Sequence, residues 1–182
     1  IWIRTEFPDV FYIVSPGGYG NGVWTGINGF YEGIDNHTIS NSWLANNIQQ
    51  GHGPLGTSYP DVAYGVEGDT PAFLALIPNG LNVPDSPDLG VWGVRYELYT
   101  PKYEDLDLNG FTGGVPIEAE PRPIWTNAED TFSPIVPREY GRSLKFSEES
   151  FTGAKVTLWR WRDEFQNDFA ARMDWCLNSY EE

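Results

Sequence analysis

The carboxylates Glu67 and Asp69 flank Gly68 within the stretch VEGDTPAFLALIPNGL, residues 66–81. Two acidic side chains at one turn can contribute oxygen ligands to a hard cation such as Ca²⁺, or they can cap a helix. The surrounding residues supply the frame. An apolar run from Val62 to Val66 predicts a strand leading into the turn. Thr70 can act as an N-cap, Pro71 fits the first helical position, and Gly80 suits a left-handed position after the helix. The expected unit is strand, acidic turn, helix. In open α/β sheets the carboxyl ends of strands are where ligands sit. Asp69 is therefore a candidate metal ligand, with helix capping as the equal alternative. A Ca²⁺ ion takes roughly six to eight oxygens, so other segments or another chain must contribute.

His52 lies in a second glycine-rich turn, GHGPLG (residues 51–56), where a ligand can approach closely; a solvated or backbone-bonded imidazole is the plainer alternative. Two histidines and one cysteine are too few for a zinc site made by this chain alone. No nucleophile elbow, H-E-x-x-H helix or phosphate-binding loop is present. Asn36-His37-Thr38 forms an N-x-Thr sequon, marking Asn36 as a glycosylation candidate in a surface loop.

Several elements can position these groups. The run from Asp9 to Val14 predicts a strand buried in a parallel sheet, closed by Ser15-Pro16-Gly17-Gly18. Ser40 or Ser42 can cap a helix over residues 43–50 with Leu44 and Ile48 inward. Residues 91–99 alternate as a strand, with Gly93 marking a bulge or a close approach. Residues 123–127 form a short apolar element, and 131–149 an irregular loop. A single helix is expected over residues 153–178, with Arg160, Arg162, Asp163 and Glu164 on a charged face and Cys176 as a small buried hydrophobe.

The chain has 182 residues, 40% of them hydrophobic and 15% aromatic, enough for one domain with a sizeable core. Its 26 acidic and 11 basic side chains give a formal net charge of −15, which disfavours nucleic acid and anionic membranes as partners. Neutral substrates and cations remain compatible with such a surface. No apolar run approaches the roughly 20 residues that span a bilayer.

The blocks FPDVFYIVSPGG, WLANNIQQGHGPLG, EGDTPAFLALIPNGL, RPIWTNAED and LWRWRDEFQNDFAARMDW are spread in order over nearly the whole chain. Together they resemble the secreted cellulose-binding proteins that carry a nucleoside-hydrolase-like domain. The resemblance implies an α/β fold, part of a Rossmann-like nucleoside-hydrolase-type sheet, of which residues 1–182 would be the carboxyl-terminal half. A second chain would then supply the amino-terminal half, the partner would be a sugar or nucleoside, and the location would be extracellular. Asp69 matches in context the aspartate that binds Ca²⁺ in nucleoside hydrolases, whereas Gly68 stands where their histidine would protonate the leaving group. Glu67 and His52 are substitutes for that histidine by residue type. Asn41 or Glu67 would contact sugar hydroxyls, and Trp24, Trp43 and Trp92 would stack on a sugar or base. Val94 stands where the family's W-G-G-R-Y-E block carries glycine, altering how Trp92 and Arg95 are presented. Two other functions share this fold. One is a non-catalytic carbohydrate-binding module; the other is a structural or toxin-like heterodimer subunit.

Overall fold

A computed structural model describes residues 2–14, 23–28, 34–63, 65–66, 71–100, 122–134, 138–140, 143–145 and 149–177. A short helix α1 (Trp2–Glu6) precedes strand β1 (Ile13–Val14). β1 runs parallel to β3 (Ile124–Asn127), with Ile13 opposite Trp125. On the other side of β3 lies β2 (Tyr96–Tyr99), antiparallel, so the sheet order is β1-β3-β2. The element at 123–127 becomes a strand, but of the run from Asp9 to Val14 only Ile13 and Val14 do, half-buried rather than buried because β1 lies at the edge of the described sheet, and Phe11 is exposed. The strand expected over residues 91–99 shortens to its second half. Val91 and Val94 face each other across a tight turn instead.

Ser40 caps the helix that follows, its hydroxyl accepting from the Trp43 amide at 3.2 Å. The helix α2 (Asn41–Leu44) widens into a π-helical turn over Ala45–Gln49. Leu44 and Ile48 are its inward residues and are almost fully buried. A further helix, α3 (Gly53–Thr57), packs back on that turn. The helix expected after the acidic turn is a six-residue 3-10 helix, Pro71–Leu76. No strand precedes it in the described part of residues 62–66, a departure from the apolar pattern. Val62 is held by a side chain rather than a strand: its amide donates to Asn41 Oδ1 at 2.7 Å.

Toward the carboxyl end, β4 (Asp130–Phe132) pairs antiparallel with β7 (Phe151–Gly153), and β5 (Arg138–Tyr140) with β6 (Ser143–Lys145). The region read as irregular loop, 131–149, therefore holds the β5–β6 pair and most of β4, whose partner β7 follows it. The expected single terminal helix is two: α4 (Val156–Trp159) and α5 (Arg162–Trp175), separated at Arg160 and Trp161. Leu158 and Val156 anchor α4 with no exposed surface. Gly26, in a 3-10 helix over Val23–Ile27, lies against α4 so closely that an added Cβ would sit 2.8 Å from the Lys155 carbonyl oxygen.

Two side chains at this end depart from their expected places. Arg162 is 2% exposed rather than part of a charged surface, donating to the carbonyls of Ile27 and Asp35. Burial lowers its pKa from the ordinary arginine value, an effect opposed by the nearby carboxylates Asp163 and Asp35. Cys176 is exposed, because α5 ends at Trp175 before carrying it into the core. Among the described residues, no helix is long and apolar enough to cross a membrane.

Candidate functional site

Three segments, with Leu81 and Asn82 beside them, meet around a cavity of about 400 Å³. Residues 89–95 give it Gly90, Trp92 and Arg95; the start of β4 gives Asp130; the joint between α4 and α5 gives Arg160 and Trp161. That volume falls in the range of small-molecule sites.

The first wall depends on a strained turn. Val94 has φ +92, a conformation that a β-branched residue adopts only at a cost of about 1–3 kcal/mol. Burial compensates: Val94 is 2% exposed and belongs to the main core. The turn brings Trp92 and Arg95, on either side of it, to the same cavity. Gly90, with φ +70, lies against the Arg95 stem, an added Cβ coming 3.2 Å from Arg95 Cδ. Asn82 ties this wall to the preceding 3-10 helix. Its Nδ2 donates to the carbonyls of Leu74 (2.7 Å) and Ile77 (2.9 Å), and its Oδ1 accepts from the Trp92 amide (3.3 Å). Residues just after the acidic turn are thereby linked to Trp92.

The second wall is electrostatic. Arg95 Nε donates to Asp130 Oδ1 at 2.8 Å, and its Nη2 donates to the Glu129 carbonyl. Arg160 Nη1 donates to the other carboxylate oxygen, Asp130 Oδ2, at 3.3 Å. One carboxylate therefore orients two guanidinium groups. Arg160 also stacks over Trp161, its Cζ 5.0 Å from the ring centroid, and over Phe132 at 5.7 Å. Trp92 is buried, and its Nε1–H has no acceptor among the described residues.

Of the residues singled out in the sequence, Trp92 and Arg95 are brought together here. Trp43 is not available for stacking on a ligand: its ring is 6% exposed and packs in the core beside Leu44 and Ile48. Asn41 is exposed, with its side-chain oxygen engaged by the Val62 amide. His52 is 8% exposed and lies apart from the residues that line the cavity; its Nε2 is 3.0 Å from Asp174 Oδ1 on α5. Asn36 is exposed at the start of a short 3-10 helix, while the Thr38 hydroxyl of the same sequon is buried and donates to Asp163 Oδ1 at 2.8 Å. Glu67, Asp69 and the Trp24 side chain lie outside the described residues. Among the described residues, no three His, Cys, Asp or Glu side chains come together in a way that would hold a metal ion.

Asp130, Arg160 and Trp161 were not foreseen as site residues. A signal for them existed. Residues 158–162 read Leu-Trp-Arg-Trp-Arg, with an arginine set between two aromatic rings.

Residues 1–96, more than half of the chain, match the family model for "Cellulose-binding Sde182, nucleoside hydrolase-like domain". The chain belongs to this family. The match extends through the Trp92–Arg95 wall of the cavity. Among solved structures the chain is similar to a nucleoside hydrolase-related hypothetical protein from Saccharophagus degradans described as associated with carbohydrate metabolism. The two share 28% sequence identity with a TM-score of 0.52, over 98% of this chain and 32% of that one. The chain thus spans about a third of the length of the structure it matches. No functionally curated protein matches it. The α/β, nucleoside-hydrolase-like architecture is that of the family, with parallel and antiparallel pairing in one small sheet.

Proposed function

We propose that this part of a nucleoside-hydrolase-like domain recognises carbohydrate, in the cavity bounded by Trp92, Arg95, Asp130, Arg160 and Trp161. The observation that supports the reading most is the Arg95–Asp130–Arg160 arrangement beside the half-buried indole of Trp161, with the buried Trp92 behind it. Sugar hydroxyls need paired donors and acceptors held in place, and sugar C–H faces lie well against aromatic rings. The cavity offers both. The family name and the description of the Saccharophagus protein point to the same ligand class.

Binding is proposed over glycosyl hydrolysis on what lines the cavity, two arginines, a carboxylate and indoles; His52 is not among those residues. His52 is committed to Asp174. The binding account does not depend on a calcium ion at Asp69, which lies outside the described residues. Affinity electrophoresis through gels containing soluble polysaccharides tests the reading. The chain should be retarded by at least one polysaccharide, and Arg95→Ala should migrate as in a gel without polysaccharide. Equal migration of the native chain in every gel would contradict it.

The expected partner also belongs to the proposal. Among the described residues the outer edge of β1 is unpaired, and nearby Trp2 (71% exposed), Phe7 (60%) and Phe11 (51%) present apolar surface. A further segment of nucleoside-hydrolase-like sheet, on a second chain, would cover that edge. Sedimentation of the purified chain should then show self-association through that apolar edge; a stable, soluble monomer would oppose this.

A further inference from the structure

The charges around the cavity do not cancel. Arg95 and Arg160 share the single carboxylate of Asp130, and no other charged side chain is among the described residues that line it. One unit of positive charge is left over, in a chain whose formal net charge is −15. A solvated counter-ion is the simplest way to balance it. Two features argue for something more specific. The donors are partly enclosed, with side-chain exposures of 27% for Arg95 and 34% for Arg160, and they are held in orientation by Asp130. Of the Arg160 guanidinium, only Nη1 has a protein acceptor among the described residues, which leaves Nε and Nη2 for a ligand. Those two N–H groups form one edge of the planar fork, and that edge matches the two oxygens of a carboxylate.

We infer that the cavity selects an acidic sugar, a uronic acid residue of a polysaccharide, with its carboxylate on the free edge of Arg160 and its ring beside Trp161. This rests on the carbohydrate-binding reading above and narrows it. Asp130 has a double part: it fixes both arginines and, by occupying their inner donors, leaves room for one ligand carboxylate rather than two. Trp92 Nε1–H is the remaining buried donor without an acceptor among the described residues, available to a ligand oxygen that reaches it.

Titration calorimetry on the purified chain tests the inference with two matched probes: an oligogalacturonate, and the same oligosaccharide with its carboxyl groups reduced to primary alcohols. The acidic probe should bind about tenfold or more tightly than its reduced counterpart. Its affinity should fall as salt is raised, while that of the reduced probe stays level. Arg160→Gln should remove about tenfold of the acidic affinity and a distinctly smaller factor from the reduced probe, so that the preference for the acidic probe collapses; Arg160→Lys should recover part of that preference, since it restores charge without the fork. Circular dichroism of each variant checks that the fold is retained. Equal or tighter binding of the reduced probe would overturn the acidic assignment and leave carbohydrate binding standing, as would indifference of the acidic probe to Arg160→Gln. Tight binding of a sulfated oligosaccharide in place of the uronate would overturn the assignment to carboxylate. Absence of binding by any of the three, or by a cello-oligosaccharide, would defeat both readings.

Discussion

Leu158→Ala is expected to destabilise the chain by about 2–5 kcal/mol, lowering its Tm by roughly 5–15 °C. Leu158 has no exposed surface, and its Cδ2 lies 3.4 Å from where a Cβ on Gly26 would sit. Removing the isopropyl group leaves a void between α4 and the 3-10 helix Val23–Ile27, two elements that pack closely. Backbone on the Gly26 side is already near contact with the Lys155 carbonyl, which limits how far the void can be closed by shifting that segment. The effect should extend to the site, because Arg160 and Trp161 follow directly on α4. Ligand affinity should therefore drop even at temperatures where the variant is folded. Thermal unfolding followed by circular dichroism reads the first effect, and calorimetric titration of the folded variant reads the second.

Gly56→Ala is expected to cost about 3 kcal/mol by a different route. Its backbone is in an ordinary helical conformation, so no left-handed strain is at issue. Space is. A Cβ at this position would lie 2.4 Å from the Ile48 carbonyl oxygen, 2.7 Å from His52 Cβ and 3.1 Å from the Gln49 carbonyl oxygen. The closest of these is backbone in the π-helical turn and cannot rotate aside. Helix α3 must then move away from α2, and the His52–Asp174 contact lengthens or breaks. Gly51→Ala makes a useful comparison. Gly51 has φ +80 with open space around it, so its cost should be conformational alone, about 1 kcal/mol. A ranking with Gly51→Ala the more damaging, by urea or thermal unfolding, would contradict the steric account.

Local patterns in the sequence carried some of this architecture and missed other parts for identifiable reasons. The Ser40 cap with Leu44 and Ile48 inward was legible because capping and helical spacing are short-range. The β1–β3 pair was legible as two apolar runs, although their parallel pairing joins residues more than 100 positions apart. Arg162 shows where such reasoning fails. By helical spacing it belongs to a charged face, but its hydrogen-bond partners are the carbonyls of Ile27 and Asp35, which no pattern local to α5 can reveal. Trp43 fails in the opposite direction: a ring suited to stacking on a ligand is equally suited to a core, and the core claims it. Of the site, the Trp92–Arg95 wall is legible in the family resemblance, and Val94, standing where that block carries glycine, has the positive φ that glycine adopts freely. Asp130 and Arg160 were missed because the cavity exists only where β4 meets the joint between α4 and α5. That joint was itself hidden inside what reads as one continuous helix.

The central claim is that a carbohydrate sits where these three segments meet. Hydrogen–deuterium exchange of the chain, with and without a saturating bound oligosaccharide, tests it most directly. Protection is predicted at residues 89–95, at 128–131 and at 158–162, with residues 41–52 unchanged. Protection confined to residues 41–52, around Asn41 and His52, would contradict the claim and move the ligand to the other glycine-rich turn.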